Sequence, residues 1–316
     1  MKKEIFLDLS QCKALGDTIC STPTLRKLYN SYNEKIVIST NFPEIFKNNP
    51  YVKKIYSSNA IDVEYVKENF IYHNSFNDVG FKNNHGVEYK HNNMDIRQFH
   101  AIKLGFMLSN YEMDCDYNAD EYEEINGLPE KYVLIHPVQT WPSRTWSAKK
   151  WMTLTEQLNK MGIAVVSIGK ESSETGFFNI DKPIFNFEID LGLNLMNKTT
   201  LSQAWHLINK SVCFITMDSG LLHLAGTTDT EILMLGSSIK PEFRLPYRNG
   251  NQKYKQRYIS GGCGLHCASD MKYGVEEWGS IQGIPPLIGC LENKPTFECQ
   301  PSVLKVLTNI TEIYER

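Results

Sequence analysis

In this chain of 316 residues, short apolar runs alternate with stretches of helical spacing, and the alternation starts twice. Residues 4–9 (EIFLDL) and 35–39 (KIVIS) read as strands. Between them Leu25, Leu28, Tyr29 and Tyr32 recur at i, i+3, i+4 and i+7, behind Thr22 as a cap and Pro23 as a first-turn proline. Continuous buried strands joined by a helix imply a parallel sheet. Shorter elements follow at 52–57 (VKKIYS) and 70–76 (FIYHNSF), with a helix around 95–108. The pattern restarts at 132–137 (YVLIHP) with a helix at 147–161, and continues through 163–169 (IAVVSIG), a helix near 200–209, 212–217 (VCFITM), a helix near 220–226 and 231–236 (EILMLG).

Between the two series, residues 112–124 carry seven acidic side chains and are followed by the turn signals Asn126, Gly127 and Pro129, which predict a surface linker. The expected organisation is a Rossmann-like domain over 1–125 and a second over 130–300. A closing helix over 301–316 starts at Pro301, with Val303, Leu304, Leu307 and Ile310 on one stripe. From 237 to 300 periodicity fails and the segment reads as a loop-rich excursion. The fold class is therefore α/β, two doubly wound parallel-sheet domains facing a cleft.

Charge and composition exclude several function classes. Lys and Arg number 33 against 36 Asp and Glu, so no global basic field is available for nucleic acid. Glu4 and Asp8 interrupt the first apolar stretch, so no signal-peptide core is expected; no run approaches the roughly 20 apolar residues of a membrane span, and the expected compartment is the cytoplasm. There the eight cysteines are expected as thiols or metal ligands.

In open parallel sheets ligands bind beyond the carboxyl ends of the strands. Three loops in such positions stand out. In the first, residues 14–23, Gly16 permits a tight turn and Asp17 is a carboxylate that could take a proton from a hydroxyl or merely cap a helix. In the second, residues 136–146, Arg144 stands between Trp141 and Trp146. That is an inventory for clamping a phosphate, or for a surface arginine stacked on Trp146. In the third, Asp218-Ser219-Gly220 ends a strand and opens a helix, with exposed backbone N–H groups and His223 one turn on.

Together these loops resemble the three signature regions of glycosyltransferase family nine, the bacterial heptosyltransferases. The motifs are Gly-Asp-x-x-x-x-Thr-Pro at 16–23, Ser-Arg-x-Trp-x-x-x-x-Trp at 143–151 and Asp-Ser-Gly-x-x-His-x-Ala at 218–225. The resemblance implies a glycosyltransferase-B architecture with the acceptor on the N-terminal half and a nucleotide-diphosphate sugar on the C-terminal half. It implies Asp17 as catalytic base of an inverting transfer, and Arg144, Asp218, Ser219, Gly220 and His223 at the donor, with Gly169 and Glu171 at the nucleoside and Thr199 and Thr200 near the same pocket. The implied donor is ADP-heptose, and the acceptor a glycan, glycolipid or protein hydroxyl. Peripheral contact with a membrane is compatible with such acceptors. No catalytic metal is expected, because Arg144 and the 219–220 helix start stand in for a divalent cation. A sugar-nucleotide epimerase on the same fold, and a non-catalytic nucleotide-sugar or glycan-binding protein, stay open as alternatives.

Other features are read more plainly. His73, His85, His91 and His100 lack ligand spacing and are expected at packing or surface positions. The basic residues Lys240, Arg244, Arg248, Lys253, Lys255 and Arg257 could meet an anionic acceptor or the nucleotide, but are expected on a solvated face. Cys263, Cys267, Cys290 and Cys299 could chelate a structural Zn or Fe ion that staples an irregular segment, and some relatives carry a comparable metal-binding finger.

Overall fold

The computed structural model describes residues 3–75, 80–82, 88–90, 93–115, 117, 124–137, 142–170, 192–269, 290, 294 and 297–316. The first half is built on β1 (Ile5–Leu9), whose five residues are all buried. After it come α1 (Leu15–Cys20), α2 (Thr22–Tyr32), β2 (Ile36–Thr40), β3 (Val52–Ser57), α3 (Val63–Asn69) and β4 (Ile71–Asn74). The four strands form a parallel sheet in the order β3-β2-β1-β4. An antiparallel pair, β5 (Gly80–Lys82) with β6 (Glu88–Lys90), and then α4 (Ile96–Ile102) complete this half.

Residues 15–20 are helical rather than loop, because Thr18 N–H bonds to Ala14 O and Ser21 N–H to Asp17 O before the chain re-enters a helix at Thr22. The segment expected as a surface linker departs further. Met113, Cys115 and Tyr117 are buried in the core, and Asp114 is held by Arg26 through Nη1 at 2.6 and 2.7 Å from its two oxygens. Met113, Cys115 and Tyr117 alternate inward there, with Glu112 and Asp114 half-buried beside them.

The second half contains β7 (Tyr132–His136), α5 (Ala148–Lys160), β8 (Ala164–Ser167), β9 (Leu193–Asn194), α6 (Leu201–Lys210), β10 (Cys213–Thr216), α7 (Gly220–Ala225) and β11 (Glu231–Leu235). A further strand, β12 (Gln256–Ile259), falls inside the stretch read as irregular; it lies at one end of the sheet order and pairs with β11. The parallel order is β12-β11-β10-β7-β8-β9, so successive strands run outward in opposite directions from β7 and β10. In open parallel sheets such a reversal of strand order is the place where ligands bind, outside the carboxyl ends of the strands.

The last helix, α8 (Val303–Tyr314), buries Val306, Ile310 and Ile313 against α5, whose Trp151, Leu154 and Leu158 face it in one cluster. Leu304, expected on the buried stripe, is 72% exposed, because the inward face is centred on Val306, Ile310 and Ile313, to the far side of Val303 and Leu307 from it. Each fully buried Leu or Ile contributes about 1.5–3 kcal/mol, so this stripe suffices to anchor the helix. A second buried cluster runs without a break from Ile5, Leu7 and Leu9 through Ile19, Cys20 and Leu221 to Leu134 and Phe214, which joins the two sheets through one apolar core.

Candidate functional site

The two halves meet where α1 and α7 approach each other, and two glycines allow it. A methyl at Gly16 would lie 3.1 Å from His223 Cδ2 and 3.2 Å from Gly220 Cα, and one at Gly220 would lie 3.2 Å from Gly16 N. The backbones therefore pass closely, and the Asp17 and Asp218 loops are brought to one junction. Asp17, in the first turn of α1, keeps its side chain 21% exposed. Its negative charge acts across the junction on Arg144 and His223.

On the facing side, Asp218 is buried and sits between two guanidinium groups. Arg144 Nε lies 3.2 Å from Asp218 Oδ2, and Arg244 Nε 3.3 Å from the same oxygen. Arg144 also donates from Nε to Asp218 O at 3.1 Å, and from Nη2 to the same carbonyl. Burial lowers the Arg144 pKa while the Asp218 charge opposes that. Asp218 Oδ2 is shared by two guanidinium groups, and the charge of Asp17 also reaches Arg144. Arg144 is thus turned to Asp218 and not stacked at the surface: Trp146 is fully buried, edge-on to Trp151 at 4.8 Å, with its Nε1–H donated to Pro301 O.

The remaining motif residues divide by environment. Ser219 caps α7 at Leu222 N–H, and its hydroxyl lies 3.1 Å from His136 Nδ1 and 3.0 Å from Thr216 Oγ1, so the side chain faces the interior. His223 Nε2 is 4.0 Å from Asp218 Oδ1, and burial pushes its pKa down to about 3, leaving it neutral. Gly169 has φ +144°, and a methyl there would meet His136 Cδ2 at 2.9 Å, so the position accommodates glycine alone. Thr200 spends its hydroxyl on a reciprocal cap with Gln203, while Thr199 next to it is half-buried. Glu171, with His85 and His91, lies outside the described residues.

Two residues at the junction escaped sequence reading. Arg244 was expected on a solvated face, but it and Arg248 are both buried. Arg244 lies just after a short helical turn at Pro241–Phe243, which brings it over Asp218, and Arg248 donates to Thr230 O and Lys255 O. The one local hint is the apolar flank of Arg244, Phe243 and Leu245. His100 is fully buried, a packing position as expected, and its Nε2 stands 3.6 Å from Asp17 Oδ1, a proximity the sequence did not show. The chain also contains one Asp-x-Asp, Asp114-Cys115-Asp116; Asp114 is engaged by Arg26 and Asp116 is outside the described residues.

The four late cysteines share a neighbourhood. Burial pushes the Cys299 thiol up to about 12, with further contributions from Cys263, Cys267 and Cys290. None of the eight cysteines is in a disulfide, and among the described residues no group of three or more His, Cys, Asp or Glu is arranged to hold a metal ion. Among the described residues, too, no helix is long and apolar enough to cross a membrane.

Comparison with known proteins fits this geometry. The model of glycosyltransferase family 9 (heptosyltransferase) matches residues 91–259, just over half of the chain. The chain belongs to glycosyltransferase family 9. Within the family, it is 28% identical over 105 residues to lipooligosaccharide heptosyltransferase 2 of Haemophilus influenzae, covering 33% of this chain and 30% of that protein. The match thus spans about a third of the length of the curated relatives. The E. coli ADP-heptose heptosyltransferase II superposes with a TM-score of 0.59 at 15% identity, over 99% of this chain and 98% of that one. The dodecameric iron-containing heptosyltransferase TibC of enterotoxigenic E. coli, in complex with ADP-D-β-D-heptose, superposes with a TM-score of 0.71 at 14% identity, over 100% of this chain and 78% of that one. The two parallel-sheet halves are accordingly those of the glycosyltransferase-B architecture.

Proposed function

We propose that this family 9 chain moves a heptose from ADP-heptose to a hydroxyl of a glycan, glycolipid or protein, with inversion at the anomeric carbon. The observation that carries this reading is the opposition of Asp17 to the Arg144–Asp218–Arg244 cluster across the crevice, with Asp17's charge felt by Arg144. A carboxylate on one side and two guanidinium groups on the other suit a displacement in which a proton leaves one face and an anion leaves the opposite face. Asp17 takes the proton of the acceptor hydroxyl as its oxygen attacks the anomeric carbon. The bond from that carbon to the diphosphate breaks with its electron pair on the phosphate oxygen. Arg144, supported by Arg244, meets that charge, together with the backbone N–H groups at Gly220. Asp218 holds the two guanidiniums in place, and His223 stays neutral beside it.

In this reading residues 1–125 receive the acceptor, residues 130–300 bind the donor, and the closing segment 301–316, which carries α8, packs on the donor half. Gly169, Glu171, Thr199 and Thr200 border the nucleoside. A peripheral contact with a membrane would present a glycolipid acceptor to the crevice. Cys263, Cys267, Cys290 and Cys299 would close on one structural metal ion, for which four soft thiol ligands are suited; no catalytic step passes through it.

The test combines binding with turnover. ADP and ADP-heptose should raise the melting temperature where UDP, GDP and their sugars do not, since a ligand at 100 times its Kd stabilises by about 2.7 kcal/mol. Asp17→Asn should keep that shift and lose transfer. Undiminished transfer by the variant would remove Asp17 from its role.

A further inference from the structure

His100 lies on α4, every residue of which from Ile96 to Ala101 is buried. The helix is fastened at both sides of the junction. Asp95 caps it at the Arg97 and Gln98 N–H groups and holds the Arg97 guanidinium, while Arg97 Nη1 reaches the other half and donates to Leu245 O at 2.9 Å. Leu245 directly follows Arg244, so α4 is in register with the cluster around Asp218. The His100 ring is fully buried and set edge-on to Phe99, with centroids 5.7 Å apart.

We infer that His100 is the positioning residue for Asp17, presenting Nε2–H towards Oδ1. This rests on Asp17 acting as the base. The separation of 3.6 Å is a few tenths of an ångström beyond an N–H···O hydrogen bond. Contacts of this kind are often long without substrate and tighten when the site fills. Other titratable groups that sense Asp17 are Cys12 and Cys20 from the first half and Arg144 and His223 from the second. The two cysteines are pushed up by burial, and the neutral His223 offers no charge. His100, on the Asp17 side of the junction and 3.6 Å from Oδ1, is placed to fix the carboxylate's rotation.

The experiment pairs NMR with turnover, using ADP release from ADP-heptose with water as acceptor. In protein carrying 13C-labelled histidine, the His100 titration midpoint should fall by about one pH unit in Asp17→Asn, since an adjacent carboxylate favours the imidazolium. His100→Phe should slow ADP release by about tenfold or more at unchanged donor KM and displace the acid limb of the pH profile. His100→Gln, which keeps a donor near the position of Nε2, should recover most of the rate. An unmoved His100 midpoint in Asp17→Asn, or a wild-type rate and profile in His100→Phe, overturns the inference. Wild-type ADP release by Asp17→Asn instead overturns the base assignment, while the NMR midpoint still judges the pair.

Discussion

Arg244 Nε stands 3.3 Å from Asp218 Oδ2, and both side chains are buried. Because Arg144 shares that oxygen, Asp218 is the counter-charge for two guanidiniums at once. Asp218→Asn leaves them facing each other without it. Removing one partner of a buried ion pair costs about 3–5 kcal/mol. The urea midpoint of the variant should fall accordingly, and a fall equivalent to less than about 1 kcal/mol would mean the cluster is solvated like a surface pair.

Gly16→Ala tests the close approach of α1 and α7. Its methyl would press on His223 and on the Gly220 backbone, and overpacking of this kind costs about 1–3 kcal/mol. The variant should melt at lower temperature; an unchanged melt would show that the halves separate easily at this point.

His136 and His223 are both held neutral by burial, with pKa values pushed down to about 3 from 6.5. The folded value is the depressed one, so below 6.5 the unfolded chain binds more protons and stability drops as the pH falls towards 3. At full slope each histidine removes about 1.4 kcal/mol per pH unit. Urea melts at pH 7 and pH 5 should therefore differ by about 2 kcal/mol less in His136→Gln than in the wild type. Equal differences would assign the acid sensitivity elsewhere.

Metal analysis of protein purified without chelator addresses the four late thiols. About one Zn or Fe per chain is expected, lost in the Cys263→Ser/Cys267→Ser double variant and accompanied by a lower melting temperature. Negligible metal in both proteins would reject the site.

The strands and most helices were legible because their signals are local. β1, β7 and β10 are short apolar runs, and α2 and α5 carry their apolar positions at helical intervals; each form follows from neighbours a few residues away. The short α1 was hidden by a glycine and a following proline, which mimic a loop. The strap at 112–117 was hidden by its charge, since alternate residues of an acidic stretch can still turn inward.

Residue order along the chain determined the alternation of strand and helix, the doubly wound class and the loops that carry Asp17, Arg144 and Asp218. Periodicity and turn chemistry act over a few residues, and these loops follow strands whose ends are marked in the sequence itself. Only the tertiary structure decided that Arg244 joins Arg144 on one carboxylate, that Ser219 turns its hydroxyl to His136, and that His100 stands beside Asp17. Those pairings bring together residues distant in the chain. They depend on which charges the packing removes from water, a property of the assembled core that no local pattern carries.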